Sequence, residues 1–241
     1  MKTALVMGAS GDIGGAICRR LARDGWSLYC HCYRNERKVL KIVSELRETY
    51  PHQDFFVVCL DMLDYREIAP FLEGLFQVDG VIFAAGFTKY ALLSQHSRQE
   101  MANLWQIHME TPLLLLAGLE SKLRQSGHGR VVFIGSVYGL SGSAMETVYS
   151  GVKGAQQSFA KAYAKEVATL GITVNCVAPG AVATAMNEDF TDSEMTTLTE
   201  EIPLARLATT NEIAAAVAYL CSEEAQYTTG VTIPVTGGWL L

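Results

Sequence analysis

The chain contains 241 residues, of which 49% are hydrophobic and 18% charged, and its net charge is -6. This acidic balance argues against a partner such as nucleic acid or an anionic membrane, because proteins that bind these carry basic surfaces. Apolar runs such as Leu113 to Ala117 fall short of the roughly 20 residues that span a bilayer. A glycine-rich turn begins at Gly8 and leaves no room for a signal peptide, so we expect a cytoplasmic protein.

Short apolar runs alternate with helical patterns along the chain. The predicted strands are Thr3 to Met7, Ser27 to Tyr33, Phe55 to Leu60, Gly80 to Ala84, Arg130 to Gly135, Thr173 to Ala178 and Val231 to Val235. The predicted helices are Asp12 to Asp24, Glu36 to Tyr50, Tyr65 to Phe76, Arg98 to Ser126, Val148 to Leu170 and Asn211 to Cys221. Continuously apolar strands indicate a sheet that is buried on both faces. The alternation therefore predicts an α/β fold: a Rossmann-type, doubly wound parallel sheet of about seven strands, flanked by helices.

No linker, repeat or composition break divides the chain, so we expect a single domain over residues 1–241. Residues 182–210 show no clear strand, and a long segment of this kind in a compact domain is typical of a functional lid.

The six cysteines form no C-x-x-C pair, which fits a reducing compartment. Cys30, His31 and Cys32 have ligand chemistry, but alternation along a strand points the histidine away from the two sulfurs. A structural zinc site needs four convergent ligands, so no metal is expected.

The first predicted strand runs directly into a glycine-rich turn and then a helix. The turn contains Gly8, Ala9, Ser10, Gly11, Asp12, Ile13 and Gly14. Such a turn lets backbone N–H groups face a pyrophosphate, although glycines also serve as ordinary tight turns. Asp61 after the third strand and Ala84, Ala85 and Gly86 after the fourth support a dinucleotide site, because open α/β sheets bind ligands at this edge.

Basic residues follow the second strand at the position where dinucleotide folds read the adenosine ribose. Arg34 stands there, with Arg37 and Lys38 nearby and no carboxylate. An arginine can bind a 2′-phosphate through two hydrogen bonds, which favours NADP(H) over NAD(H). The alternative is that these residues are solvated charges at the start of a helix.

Three side chains near the fifth strand have the chemistry of proton transfer. Ser136 follows the strand, and Tyr149 and Lys153 lie four residues apart on one helix face. A phenol titrates near ~10, and a neighbouring ammonium lowers that pKa. An isolated pair of this spacing is often only a surface feature, but the serine and the glycine turn together indicate an active site.

Taken together, these motifs resemble the short-chain dehydrogenase/reductase family over essentially the whole chain, and they are similar to the 3-oxoacyl-acyl-carrier-protein reductases and their relatives. The family's later motifs match Asn175, Pro179, Gly180, Thr184, Gly230, Gly237 and Gly238. The resemblance implies an NADP(H)-dependent enzyme that reduces a ketone to a secondary alcohol.

The resemblance also implies a role for each motif residue. Tyr149 would be the general acid, Ser136 would polarise the substrate carbonyl, and Lys153 would bind the nicotinamide ribose and lower the pKa of Tyr149. The remaining cofactor positions implied by the family are Asp61 and Met62 at the adenine, Val182 and Thr184 at the carboxamide, and Pro179 and Gly180 beside them.

The sequence departs from the family pattern at three places. Asp12 replaces the usual middle glycine of the turn, and Phe83 and Ala84 replace two asparagines after the fourth strand. His108 stands where the family has an asparagine that anchors a relay water beside the lysine. Because imidazole also relays protons, we expect a retained relay with an altered pH profile. The alternative is a buried histidine without a catalytic role.

The segment around residues 182–210 is acidic. Its carboxylates are Glu188, Asp189, Asp192, Glu194, Glu200 and Glu201, and without them the chain would carry equal numbers of acidic and basic residues. Glu146 lies three residues before Tyr149. If these carboxylates line the mouth of the active site, they would attract a cationic substrate and repel an acidic carrier protein. The alternative is that they form a solvated acidic face of a helix.

Gly127 and Leu170 occupy the positions where the acyl-carrier-protein reductases have two docking arginines. The residues from Val148 to Gln156, with Gly237, Gly238 and Trp239, are instead similar to the reductases that act on a 5-aminopentanone carried by a lysine of elongation factor P. The hypotheses are therefore a reductase of this carried aminoketone, a 3-oxoacyl-acyl-carrier-protein reductase, or a non-catalytic NADP(H) sensor. The resemblance also implies a homodimer or homotetramer.

Overall fold

A computed structural model describes residues 1–185 and 191–240, apart from the side chain of Asp192. Within these residues the strands are β1 Thr3–Met7, β2 Ser27–Cys32, β3 Phe55–Cys59, β4 Gly80–Phe83, β5 Arg130–Ile134, β6 Thr173–Pro179 and β7 Thr232–Val235. The helices are α1 Asp12–Arg23, α2 Glu36–Thr49, α3 Ile68–Glu73, α4 Arg98–Trp105, α5 Thr111–Gln125, α6 Tyr138–Ser141, α7 Thr147–Val167, α8 Asp192–Glu201 and α9 Thr210–Cys221. A π-helical turn, Gln106–Glu110, joins α4 to α5.

The strands of the described residues form one parallel sheet in the order β3-β2-β1-β4-β5-β6-β7. The order reverses between β1 and β4, so their loops separate at the carboxyl edge and leave a crevice there. This arrangement confirms the predicted Rossmann-type α/β fold.

Apolar side chains cover both faces of the sheet. On one face, β1 and β2 pack against α1, α2 and α9 through residues such as Ile17, Val39 and Val217. On the other face, β4 and β5 pack against α5 and α7 through residues such as Leu119 and Tyr163. Burial on both sides explains why the central strands are continuously apolar in sequence, whereas β3 and β7 at the two edges are only partly buried.

The helices differ from the prediction more than the strands do. The predicted helix from Arg98 to Ser126 is interrupted by the π-helical turn, and the one from Tyr65 to Phe76 is a short 3₁₀ turn followed by α3. The segment 182–210 contains α8, which the sequence did not indicate. Val182 and Ala208 also form an isolated parallel bridge that brings the two ends of this segment together.

None of the helices in the described part of the chain is long and apolar enough to cross a membrane.

Candidate active site

The glycine turn after β1 lies against the residues that follow β4. Gly8 has a φ of +83°, and a Cβ atom there would stand 2.5 Å from the backbone nitrogen of Ala85. A Cβ on Gly14 would stand 2.1 Å from the carbonyl oxygen of Gly8. Only glycine fits such close approaches, so the turn forms a narrow cradle of backbone groups at the switch point between β1 and β4.

Helix α1 begins inside this cradle. Its N-cap is Gly11, which has no side chain to hydrogen-bond the N–H groups of the first turn. Ser10 precedes it in the turn, and the side chain of Ile13 packs against the core beneath. A helix N-terminus capped in this way fits a pyrophosphate, because its backbone N–H groups and its dipole both favour an anion.

Asp12 connects the cradle to two other parts of the molecule. One carboxylate oxygen accepts a hydrogen bond from Lys38 Nζ at 2.7 Å, and the other accepts from the backbone N–H of Ala185 at 2.9 Å. The hydrogen bond from Lys38 lowers the pKa of Asp12, so this carboxylate is ionised at neutral pH. The departure from the family's glycine therefore adds a tie between α1, α2 and the start of the segment 182–210.

The residues predicted at the adenosine end lie along the carboxyl edges of β2 and β3. Arg34 is exposed, and its guanidinium carbon lies 4.8 Å from the centre of the Tyr33 ring. Asp61 accepts a hydrogen bond from the backbone N–H of Leu63, and Met62 is buried. The arginine is free to turn towards a ligand phosphate, because a stacked guanidinium keeps its N–H groups at the edge of the stack.

The predicted carboxamide positions follow β6. The N–H of Gly180 donates to the carbonyl of Val235 on β7, and the carbonyl of Pro179 accepts from the N–H of Val137. Thr184 Oγ1 donates to the carbonyl of Val182. These hydrogen bonds hold the start of the segment after β6 against the residues that follow β5 and against β7.

Ser136, Tyr149 and Lys153 converge beside the end of β5. Lys153 is 4% exposed, its Nζ donates to the Ile134 carbonyl at 2.7 Å, and it lies 5.4 Å from the centre of the Tyr149 ring. Burial lowers the pKa of Lys153 to about 8. Burial and the neighbouring Glu146 raise the pKa of Tyr149, and a hydrogen bond from Ser136 acts in the opposite direction. The site thus holds a neutral phenol next to a lysine that titrates near neutral pH.

His108 lies in the π-helical turn, against the same tyrosine. The two rings are 5.6 Å apart and meet edge to face. The His108 Nε2–H donates to the carbonyl of Phe87 at 2.9 Å, and Nδ1 has no hydrogen-bond partner among the described residues. Burial and the nearby Lys153 lower the pKa of His108 to about 3, so the ring is neutral. The relay expected of this histidine stays a prediction.

The close approach of Gly86 fixes the position of that imidazole. A Cβ atom on Gly86 would stand 2.1 Å from Cε1 of His108. The glycine after Ala84 and Ala85 is therefore required for the histidine to pack in this place.

Glu146 and two aromatic rings lie near Tyr149, where we expect the mouth of the site. Glu146 is 9% exposed and accepts a hydrogen bond from Thr88 Oγ1 at 2.6 Å. The half-buried ring of Tyr138 packs edge to face on Trp239, whose Nε1–H donates to Glu201. Burial raises the pKa of Tyr138, and the carboxylates of Glu146 and Glu201 raise it further. We call these four residues, Glu146, Tyr138, Trp239 and Glu201, the acidic mouth.

Of the other predicted acidic residues, Glu194 caps α8 by accepting hydrogen bonds from Thr191, and Glu200 lies on the same helix. Glu188, Asp189 and the side chain of Asp192 lie outside the described residues.

Three buried polar residues of the site were not recognised in the sequence. His31 accepts the N–H of Gly8 at Nδ1 and donates from Nε2 to the carbonyl of Leu60, both at 3.0 Å. Gln156 contacts Lys153, and Gln157 donates to the carbonyl of Ser136. The two glutamines lie three and four residues after Lys153, and this helical spacing was the signal that could have revealed them.

Comparison with known proteins places the chain among oxidoreductases. Residues 8–240 match the family model described as enoyl-(acyl carrier protein) reductase. The chain is 35% identical to an uncharacterized oxidoreductase, YmfI, of Bacillus subtilis, covering 99% of this chain and 98% of that protein. It is 32% identical to the 3-oxoacyl-[acyl-carrier-protein] reductase FabG of Rickettsia bellii, covering 100% and 97%.

The fold has a close match among solved structures. A blue fluorescent protein from a metagenomic library, crystallised with NADPH, superposes with a TM-score of 0.92 at 26% identity, covering 100% of this chain and 98% of that one. With the parallel sheet, the glycine turn and the family match together, the chain belongs to the short-chain dehydrogenase/reductase family of oxidoreductases.

Proposed function

We propose that this protein uses NADPH to reduce a ketone to a secondary alcohol, with Tyr149 as the proton donor. The observation that carries the proposal is the convergence of Ser136, Tyr149 and buried Lys153 at the sheet edge that also holds the glycine cradle. The NADPH bound by the metagenomic structural neighbour supports the choice of cofactor.

The cofactor residues of this proposal divide into three groups along the crevice. Gly8, Ser10, Gly11, Asp12, Ile13 and Gly14 surround the pyrophosphate, with Ala84, Ala85 and Gly86 against them. Arg34 contacts the 2′-phosphate, and Asp61 and Met62 lie at the adenine. Pro179, Gly180, Val182 and Thr184 lie at the nicotinamide. When bound there, NADPH supplies the hydride.

Ser136, Tyr149 and Lys153 perform the proton chemistry. Ser136 donates a hydrogen bond to the substrate carbonyl, and Tyr149 transfers its phenolic proton to the same oxygen as the alcohol forms. The buried charge of Lys153 then stabilises the phenolate, because its attraction is strong where water is excluded.

The acidic mouth favours a ketone that carries an ammonium group. Glu146 and Glu201 supply negative charge, and Tyr138 and Trp239 supply ring faces that attract a cation. Met145, the residue before Glu146, has a φ of +62°, a strained conformation that residues other than glycine rarely adopt and that is often found at functional sites. These features support a substrate such as the 5-aminopentanone on a lysine of elongation factor P.

A 3-oxoacyl group on an acyl carrier protein is the second candidate, favoured by the identity with the Rickettsia reductase. The acidic mouth disfavours it, because acyl carrier proteins are acidic and like charges repel at an interface. The third candidate is a sensor that binds NADP(H) without catalysis, and proton transfer by Tyr149 would play no part in its function.

The test measures NADPH oxidation with three substrates: 5-aminopentan-2-one, the neutral pentan-2-one, and an acetoacetyl thioester on acyl carrier protein. We expect kcat/KM to be at least about tenfold higher for the aminoketone than for the neutral ketone, equal to about 1.4 kcal/mol. Glu146→Gln should remove most of that preference by raising KM for the aminoketone, whereas Tyr149→Phe should abolish turnover while NADPH still binds.

The control is Glu166→Gln, which removes the same charge from the exposed far end of α7 and should leave the preference intact. Turnover of the carrier-linked thioester without turnover of the aminoketone would refute the cationic substrate. Tight NADPH binding with no reduction of any ketone would favour the sensor.

A further inference from the structure

Lys153 and Gln156 form a buried hydrogen-bonded pair, one turn apart on α7. They are 4% and 1% exposed. Lys153 Nζ donates to Gln156 Oε1 at 3.2 Å, and Gln156 Nε2 donates to the carbonyl of His108 at 2.6 Å. One glutamine side chain thus joins the lysine of the site to the π-helical turn between α4 and α5.

The hydrogen bonds that Lys153 makes to the described residues leave one of its three N–H groups for the active site. An ammonium has three N–H donors, and two of them contact the carbonyl of Ile134 and Oε1 of Gln156. Since three tetrahedral donors diverge, fixing two of them fixes the third. Nζ is thereby held beside Tyr149, 5.4 Å from the centre of its ring.

The carbonyl of His108 anchors the glutamine from the opposite side. Helices with a π turn have an altered hydrogen-bond register, and such turns are frequent at functional sites. The imidazole of the same residue contacts the carbonyl of Phe87 instead. The backbone carbonyl of His108 therefore binds Gln156, while its imidazole binds the backbone at Phe87.

We propose that Gln156 is a positioning residue that holds the ammonium of Lys153 beside Tyr149 and keeps it charged. This inference rests on the proposed function, because it assumes that Lys153 acts at the active site. A neutral amide accepts a hydrogen bond from the charged lysine without itself titrating, so it stabilises the cation at every pH.

The titratable groups that face Lys153 are Tyr149 on its own helix, His108 in the π-helical turn and Cys176 on β6. Burial keeps the Tyr149 phenol neutral, lowers the pKa of His108 to about 3 and raises the pKa of Cys176 to about 11. Near pH 8, therefore, Lys153 itself is the member of this set that changes charge.

The experiment measures the titration midpoint of Lys153 by NMR of its ε-carbon in protein with labelled lysine, with the signal assigned by Lys153→Arg. Gln156→Leu removes the acceptor, so the midpoint should fall by about one pH unit. Gln156→Glu keeps the shape and adds a carboxylate, so the midpoint should rise by about one pH unit or more. In kinetics, the high-pH limb of kcat should move in the same two directions.

The matched control is Gln53→Leu. Gln53 likewise joins separate parts of the chain, because its Nε2 donates to the carbonyls of Ala22 and Trp26, but it lies before β3, away from Lys153. This change should leave the midpoint of Lys153 at its wild-type value.

An unmoved midpoint in both Gln156 variants, or movement of both in one direction, would overturn the proposal. If Gln156→Leu does not fold, the isosteric Gln156→Glu still decides by the direction of its shift. If the two Gln156 variants shift the Lys153 midpoint in opposite directions but the protein reduces no ketone, the positioning of Lys153 by Gln156 stands and the proposed function is wrong.

Discussion

His31 and His108 are buried histidines whose rings bond to backbone groups of the active site. The Nδ1 of His31 accepts the N–H of Gly8, so its proton lies on Nε2, which donates to the carbonyl of Leu60. Burial lowers the pKa of His31 to about 4 and that of His108 to about 3. Both rings are neutral in the folded protein at any pH above about 5.

We therefore expect the free energy of unfolding to fall as the pH decreases from about 6.5 towards 5. In this window the unfolded histidines bind protons, since their pKa is near ~6.5, whereas the folded ones do not. Each histidine contributes a loss of at most about 1.4 kcal/mol per pH unit. Urea denaturation at pH 7.5, 6.5, 5.5 and 5.0 measures the slope.

His31→Gln should reduce this slope, because it removes one histidine that binds a proton in the unfolded chain but not in the folded core. The comparison is His52→Gln, which changes an exposed histidine after α2. A wild-type slope in His31→Gln would contradict the argument.

At the scale of elements, the tie made by Asp12 joins α1 to α2 and to the segment 182–210. Its partner Lys38 is one of the basic residues predicted beside the 2′-phosphate. In the NADPH site proposed above, the pair would hold a cation away from the 2′-phosphate and place a carboxylate near the pyrophosphate, and both effects would oppose the binding of NADPH.

Asp12→Asn should strengthen NADPH binding by about fivefold, equal to roughly 1 kcal/mol for a partly exposed ion pair. The amide still offers an oxygen to the N–H of Ala185, but it releases Lys38. Fluorescence titration measures the dissociation constant. Glu45→Gln, which breaks the ion pair with Arg19, should leave it unchanged; equal or weaker NADPH binding in Asp12→Asn would count against the prediction.

The strands were predictable to within a residue or two because the five central ones, β1, β2, β4, β5 and β6, are buried on both faces and leave a continuous apolar signature. The π-helical turn could not be predicted from the sequence. The residues from Arg98 to Ser126 keep a helical pattern throughout, although the backbone forms one wider turn among them. Helix α8 was missed because its residues are mostly polar or acidic, and its start is marked mainly by the cap between Thr191 and Glu194.

Site residues that share one helix could be predicted from their spacing. Those that act through residues on distant elements were missed. Tyr149 and Lys153 share a face of α7, so four residues of separation sufficed. By contrast, the roles of His31 and Gln156 depend on Gly8 and His108, which are 23 and 48 residues away in the chain. The spacing of Gln156 from Lys153 could have placed the glutamine at the site, but its partner His108 and the partner of His31 are set by the topology of the fold, which a local pattern does not encode.

At the scale of the whole molecule, large apolar side chains are exposed around α4 and α5. Trp105 is 50% exposed and Leu114 is 44% exposed. A group of exposed apolar side chains on neighbouring elements is typical of surfaces that pair with another copy, whereas a single exposed apolar side chain is common on any protein. We propose that these helices form the interface of a homodimer or homotetramer, in line with the family resemblance.

Sedimentation velocity should accordingly give a mass two or four times that of the chain. Trp105→Glu places a charge in the interface and should shift the protein to smaller species. Phe76→Glu, which changes an 88% exposed ring after α3, should leave the mass unchanged. A wild-type protein that sediments as a monomer would refute the assembly.

The two ends of the crevice carry opposite charge. Arg34 follows β2 and Glu146 lies beyond β5, and the ends of these two strands are three positions apart in the sheet, or about 14 Å. Salt at 0.1 M screens charges over about 10 Å, so each end attracts its own ligand nearly independently of the other. If the proposed function holds, we expect the crevice to favour one relative orientation of its two ligands, with the anionic nucleotide at the Arg34 end and the cationic ketone at the Glu146 end, because either molecule entering reversed would meet a charge of its own sign.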